Sequence, residues 1–252
     1  AYLTRSEGFE DQSNRYSENG KALDPTTSMS YELGIKGNHL DGVLNSSIAI
    51  YQTKRKNFAV QLFNDKAFSD ENPGKSCCYV GDGQFKGKGI EFDLSGAVLP
   101  NLSLNLGYTY DDSVTDYGAE KGKRLSSQSP EHILRLWGRY QFTGALENLT
   151  VGSGVKTFSD YYAEGTVKAW NPNGGKDGNG AFDGADIDYK FNQKGYTLWD
   201  AFIQYQVTPQ WTASFNINNI LNKKYLQNVG STAFGNMYGE PRNVLFTLRG
   251  TF

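Results

Sequence analysis

The sequence predicts an all-β chain that forms part of a transmembrane antiparallel β-barrel, and three observations predict it. Apolar and polar residues alternate with period two through much of the chain. The connections between alternating segments are short at one end and long and polar at the other. No apolar run approaches the roughly 18 residues a spanning helix needs, and no long helical period appears.

About ten strands follow in order, near 1–6, 30–39, 43–54, 86–98, 101–110, 131–143, 148–158, 196–207, 210–219 and 242–252. "GIEFDLSG" sets Ile90, Phe92 and Leu94 against Glu91, Asp93 and Ser95. "NLSLNLGYTY" puts Leu102, Leu104, Leu106, Tyr108 and Tyr110 on one face. "HILRLWGRYQF" opposes Leu134, Leu136, Tyr140 and Phe142 to Arg135, Arg139 and Gln141. "WTASFNIN" opposes Trp211, Ala213, Phe215 and Ile217 to Ser214, Asn216 and Asn218. Segments 43–54, 148–158 and 196–207 alternate less cleanly, and Phe202 falls on the polar face of its strand. The last strand places Val244, Phe246, Leu248 and Phe252 toward lipid and Thr247, Arg249 and Thr251 toward the lumen. Tight turns fall at 40–42, Leu99-Pro100, 144–147 and near Pro209; polar loops occupy 7–29, 55–85, 111–130, 159–195 and 220–240. Tyr108, Tyr110, Tyr140, Phe142, Trp211 and Phe252 supply interfacial girdles. A soluble sandwich alternates too, but long loops confined to one end are unusual for a compact soluble domain.

Composition agrees. Only 38% of the 252 residues are hydrophobic, yet 14% are aromatic and 29 are glycine. A formal charge of -2 gives no reason to expect nucleic acid as a partner. The chain opens inside "AYLTRSEGF", without an initiator Met or signal peptide, which predicts a fragment or processed piece. Cys77 and Cys78 are adjacent, so they either close a small ring or remain two thiols; an oxidising compartment favours the ring.

"FNINNILNKKYLQNV…GEPRNVLFTLRGTF" resembles the closing strands of TonB-dependent outer-membrane receptors. "SEGFEDQS", "ALDPTTSMSYELGIKG", "KGKGIEFDLSGAV", "GYTYDDS" and "RLSSQSPEHILRLWGRY" continue that likeness in order along nearly the whole chain. "SCCYVGDGQFKGKGIEFDLSG" is similar to the ferric-siderophore branch, notably receptors for hydroxamate-type siderophores such as alcaligin, coprogen or pyoverdine. The resemblance implies a barrel of about 22 strands with short periplasmic turns and long extracellular loops. Residues 1–252 would then be its C-terminal part, without the plug and the first strands. It further implies energy from TonB–ExbB–ExbD through the plug, contact with lipid and lipopolysaccharide, and Phe252 as part of the signal read by the outer-membrane assembly machinery. No intrinsic cofactor or metal ligand is implied, because iron arrives as the ferric siderophore.

Such a ligand needs aromatics for its organic scaffold and polar or basic groups for its chelate oxygens. Loop residues Tyr117, Tyr161, Tyr162, Trp170, Phe234 and Tyr238 are candidates, with Trp137 and Arg139 on the lumen face. Each has a plainer reading in loop packing or girdle placement. Arg135 and Arg249 are expected to pair with carboxylates of wall or plug, Glu91 and Asp93 among them. The loop 171–192, with Asp177, Asp183, Asp186 and Asp188, lacks EF-hand spacing and reads as a flexible polar loop. Other functions remain open: TonB-dependent uptake of another substrate, a passive porin, or a complete ten-stranded barrel enzyme using Asp111, Asp112 and His132. No nucleophile elbow, zinc spacing or phosphate loop supports the enzyme.

Overall fold

A computed structural model of the chain describes residues 1–61, 78–117, 121–125, 127–175, 178–232 and 234–251. Strands are β1 (Tyr2–Glu10), β2 (Thr26–His39), β3 (Leu44–Gln61), β4 (Tyr79–Leu99), β5 (Leu102–Thr115), β6 (His132–Gln141), β7 (Leu149–Phe158), β8 (Tyr161–Lys168) and β9 (Asp186–Gln193). They continue as β10 (Tyr196–Gln206), β11 (Trp211–Asn218), β12 (Leu226–Asn228), β13 (Met237–Tyr238) and β14 (Asn243–Gly250). A 10-stranded sheet runs β1-β2-β3-β4-β5-β6-β7-β10-β11-β14, with β8–β9 and β12–β13 as separate small sheets. The chain divides into two compact units, Ala1–Asp93 with Thr109–Ser126, and Leu94–Tyr108 with Ser127–Phe252.

In the N-terminal unit, Leu3, Leu33 and Ile50 share one cross-strand row and Ile35 opposes Ile48. The next row puts Tyr2, Gly34 and Ala49 on the other face, with Glu32 opposite Tyr51 beyond it. In the C-terminal unit, Tyr140, Val151, Ile203, Phe215 and Phe246 form one apolar row. The apolar face stays bare: Ile35 is 58% exposed and Phe246 64%. Leaving such side chains in water costs about 1.5–3 kcal/mol each. A bilayer removes that penalty, so this face is built for lipid. Trp199 lies on it, and its indole N–H finds Ser153 Oγ across the ladder at 2.7 Å. In hydrocarbon that donor would otherwise go unsatisfied.

The short turns have local causes. Leu40, Asp41 and Gly42 all take positive φ (54°, 53° and 95°), and Gly42 N donates to the His39 carbonyl at 3.2 Å. Thr208 Oγ1 accepts from Trp211 N at 3.1 Å and closes the Pro209 turn.

The strands run further than alternation predicts at the long-loop end. β3 continues to Gln61, β4 begins at Tyr79 and β5 reaches Thr115. Strand structure persists there although apolar residues such as Phe58, Ala59 and Val60 run consecutively rather than alternate, so the period-two signal fades first. The 18 residues of β3 and the 21 of β4 exceed what a membrane crossing requires, about 9–11 residues. Asn57, at φ 61°, sits within β3. Past it, Phe58 packs against Phe85 and Tyr117, with ring centroids 6.2 and 5.5 Å away.

The expected polar loop 159–195 instead holds the β8–β9 hairpin. Lys168 pairs with Asp186 at 2.7 Å and Glu164 with Lys190 at 3.0 Å, while Thr166 Oγ1 donates to Asp188 at 3.0 Å. Charge alternates with small residues on β8 and with Ile187, Tyr189 and Phe191 on β9. Asp183 accepts from Gly175 N at 3.0 Å at the tip, and Asp177 lies outside the described residues. Likewise β12 and β13 lie within the expected loop 220–240.

Candidate ligand-binding surface

The polar face of the C-terminal unit is organised around glycines that give way to rings. Trp137 faces Gly154 and Phe202 faces Gly152 on β7. A Cβ on Gly152 would stand 2.1 Å from the Phe202 ring, and one on Gly154 2.4 Å from both the Leu136 carbonyl and the Trp137 ring. With both positions empty, Trp137 and Phe202 stack at 5.9 Å and 12°. This explains Phe202 on a polar face. Arg139, opposite Gly152, is exposed.

At the long-loop end the same face opens into a cavity of about 590 Å³. One wall is aromatic. Phe158, Tyr196 and Tyr225 stack in succession, with centroids 4.9 and 4.5 Å apart. Tyr161, 2% exposed, donates its hydroxyl to the Leu226 carbonyl and packs with Ala163, Tyr196 and Val229. Burial raises the Tyr225 phenol above its ordinary range, and the negative field of Glu240 adds to the shift.

The opposite wall is a polar chain. Lys156 Nζ lies 3.1 Å from Asp200 Oδ2, and Asp200 Oδ1 accepts from Asn219 N at 2.9 Å. Asn219 is 3% exposed, with φ 50°. Its Nδ2 donates to the Lys223 and Glu240 carbonyls at 2.9 and 3.0 Å, and its Oδ1 accepts from Lys223 N at 2.8 Å. Asn222 Oδ1 accepts from Arg242 N at 3.1 Å. The quoted Asn-Asn and Gly-x-Pro-Arg motifs are therefore two halves of one clamp that holds the loop before β14 against the wall.

The N-terminal unit has its own cavity of about 510 Å³ on the polar face, lined by Arg15, Arg55, Phe58 and Phe85 among others. Arg55 pairs with Glu10, and its guanidinium lies 5.9 Å from the Phe85 ring centroid. Gln12, 5% exposed, fixes this wall through the Asp24 and Asn57 carbonyls and Ala59 N.

The expected residues fall in several places. Tyr161 lines the C-terminal cavity as a buried strut, and Tyr117 backs Phe58 in the N-terminal unit. Tyr162 carries Lys190 Nζ 3.6 Å above its ring. Trp170 packs edge-on to Phe182 at 5.2 Å at the hairpin tip. Phe234 is exposed between β12 and β13, and Tyr238 is exposed on β13. Cys78 is disulfide-bonded; Cys77 and Phe252 lie outside the described residues. Arg135 and Arg249 make no ion pair among the described residues. Arg135 instead faces Lys156 across the ladder, and Lys156 turns to Asp200. Phe158, Tyr196, Tyr225, Asp200 and Asn219 were missed, since alternation alone does not show which residues a folded loop covers.

The polar residues of the enzyme alternative are engaged elsewhere. Asp111 accepts from Tyr51 at 2.6 Å and Ser113 at 2.7 Å, Asp112 pairs with Lys88 at 3.3 Å, and His132 Nδ1 meets the Tyr108 hydroxyl at 2.9 Å.

The family described as TonB dependent receptor-like, beta-barrel, matches residues 1–220. The ferripyoverdine receptor of Pseudomonas aeruginosa is 34% identical over 258 aligned residues, covering 100% of this chain and 27% of that protein. The ferric-pyoverdine M114 receptor PbuA of Pseudomonas sp. strain M114 is 32% identical, covering 100% of this chain and 28% of the relative. The crystal structure of the Pseudomonas aeruginosa ferripyoverdine receptor bound to ferripyoverdine superposes with a TM-score of 0.81 at 31% identity, over 98% of this chain and 30% of that one. This chain thus spans under a third of the length of these relatives. The family is made of transport receptors, not enzymes. The chain belongs to the TonB dependent receptor-like β-barrel family of the outer membrane.

Proposed function

We propose that the full protein is an outer-membrane receptor that takes up a ferric siderophore, with residues 1–252 as the C-terminal part of its barrel. The observation that carries this is the cavity of aromatic rings and amides on the polar face, at the long-loop end of a lipid-facing sheet. Rings hold an organic scaffold, while amide and charged groups orient it. The likeness to ferric-pyoverdine receptors supports a siderophore, and the resemblance of "SCCYVGDGQFKGKGIEFDLSG" implies a hydroxamate-type chelate within that class. Iron enters as cargo already held by its chelator, so the wall needs no iron ligands of its own. Trp137, Arg139, Tyr117, Tyr161, Tyr162, Trp170, Phe234 and Tyr238 remain candidate contacts. Energy comes from TonB–ExbB–ExbD through a plug, lipid and lipopolysaccharide surround the apolar face, and Phe252 serves the assembly machinery.

The test is growth under iron restriction. Cells lacking their own receptors express the full-length gene and receive single ferric siderophores. TonB-dependent rescue by a ferric hydroxamate or pyoverdine is the expected result. Surface expression without rescue by any ferric siderophore overturns the iron reading in favour of another TonB-dependent substrate.

A further inference from the structure

We propose that the cavity of the C-terminal unit receives a protonated amine on the ligand's organic scaffold, and that Glu240 is the carboxylate that takes it. This rests on the ferric-siderophore reading and adds which part of such a ligand this cavity reads.

The lining carries one cation, Lys156, and two carboxylates, Asp200 and Glu240. Lys156 and Asp200 neutralise each other at 3.1 Å. Asp200 is further occupied by Asn219 N, which fixes it to the wall. Glu240 has no ion pair among the described residues. Its Oε2 accepts from Asn243 Nδ2 at 3.2 Å, which orients the carboxylate, while Oε1 accepts nothing among the described residues. One negative charge is therefore left over, held in place and exposed at the cavity. The stacked wall of Phe158, Tyr196 and Tyr225 keeps part of the cavity away from water, so the charge is screened less than on open surface. The Tyr225 phenol on this wall is raised first by burial and second by the charge of Glu240.

An anionic iron chelate is repelled by such a lining. A scaffold that bears an ammonium group is attracted, and Oε1 is the atom that accepts its N–H. The N-terminal cavity differs: its lining sets two guanidiniums, Arg15 and Arg55, against two carboxylates, Glu10 and Asp11, and so has no net charge left over. An amine-bearing arm thus fits the Glu240 cavity and not its counterpart.

The test uses the full-length receptor, purified and titrated with ferric siderophores that carry a free primary amine, ferrioxamine B and amine-bearing ferripyoverdines among them. Each is compared with its N-acetylated form, in receptor and in Glu240→Gln, which keeps the acceptor for Asn243. The expected result is roughly tenfold tighter binding of the amine form, a gap that narrows as salt rises and disappears in Glu240→Gln. Equal binding of both forms, or a gap that survives Glu240→Gln, overturns the proposal and leaves the siderophore reading standing. Should Glu240→Gln fail to assemble, the unaltered receptor still decides, because a gap insensitive to salt overturns the charge contact. Binding of no ferric siderophore at all overturns both.

Discussion

Asn219 shows how one side chain carries a motif. Its carboxamide makes three hydrogen bonds to backbone groups and its φ of 50° suits asparagine better than most residues. Asn219→Ala takes this partner from two carbonyls, those of Lys223 and Glu240, and from Lys223 N, in a strained backbone. The expected loss is about 2–4 kcal/mol, read as a lower melting temperature of the detergent-solubilised receptor. Tyr225 offers a pH test. Burial first, and Glu240 second, favour its neutral phenol, so its folded pKa lies above the ordinary value near 10. Its contribution to stability is complete below that value and is lost as pH rises through the folded pKa. An alkaline titration followed at 295 nm, with Tyr225→Phe subtracted, is expected to show one phenol ionising late. Asp116 works in the opposite sense. Lys86 hydrogen-bonds it at 2.6 Å and holds its carboxyl below the usual range, so its contribution fades as pH falls through that lowered pKa. The motif residues were visible in the sequence, but their role was not, because a hydrogen bond from Asn219 to Glu240 depends on how a loop returns.

At the scale of elements, pairs of ring and glycine set the alignment of neighbouring strands. Phe202 needs Gly152 opposite it and Trp137 needs Gly154, so a slip of one residue would set each ring against a side chain. Gly152→Leu is expected to displace Phe202, break its stack on Trp137 and cost about 1–3 kcal/mol, with altered tryptophan fluorescence as the readout. The strands of the main sheet were legible because lipid on one side and polar surroundings on the other impose a strict period of two. The β8–β9 hairpin was not. One face is charged and the other sets Ala163, Gly165 and Val167 of β8 against Phe191, Tyr189 and Ile187 of β9, so the rings come from one strand only, while Lys168–Asp186 and Glu164–Lys190 lock the pairing.

For the whole molecule, the distribution of apolar surface decides the environment. Phe246 faces outward beside Phe215, whereas Thr247 pairs with Ser214 on the polar face. Phe246→Lys is expected to weaken folding of the receptor into lipid vesicles by about 2–4 kcal/mol, and Thr247→Lys by much less. Equal penalties at the two positions would contradict the assignment of faces. The sequence carried this division almost unaided, since alternation is a property of neighbours along the chain. The cavities were beyond its reach because they gather residues from strands and loops far apart in sequence.

β3 and β4 are long enough to matter outside the membrane as well. At about 3.3 Å per residue and a tilt near 45°, the 18 residues of β3 rise to roughly 40 Å, against about 30 Å of hydrocarbon. Hydrogen-bonded β-structure thus forms a stiff collar above the lipid. Proteases require slack chain, so limited digestion of intact cells should spare these paired strand ends, and epitope tags meant for display should be kept out of them.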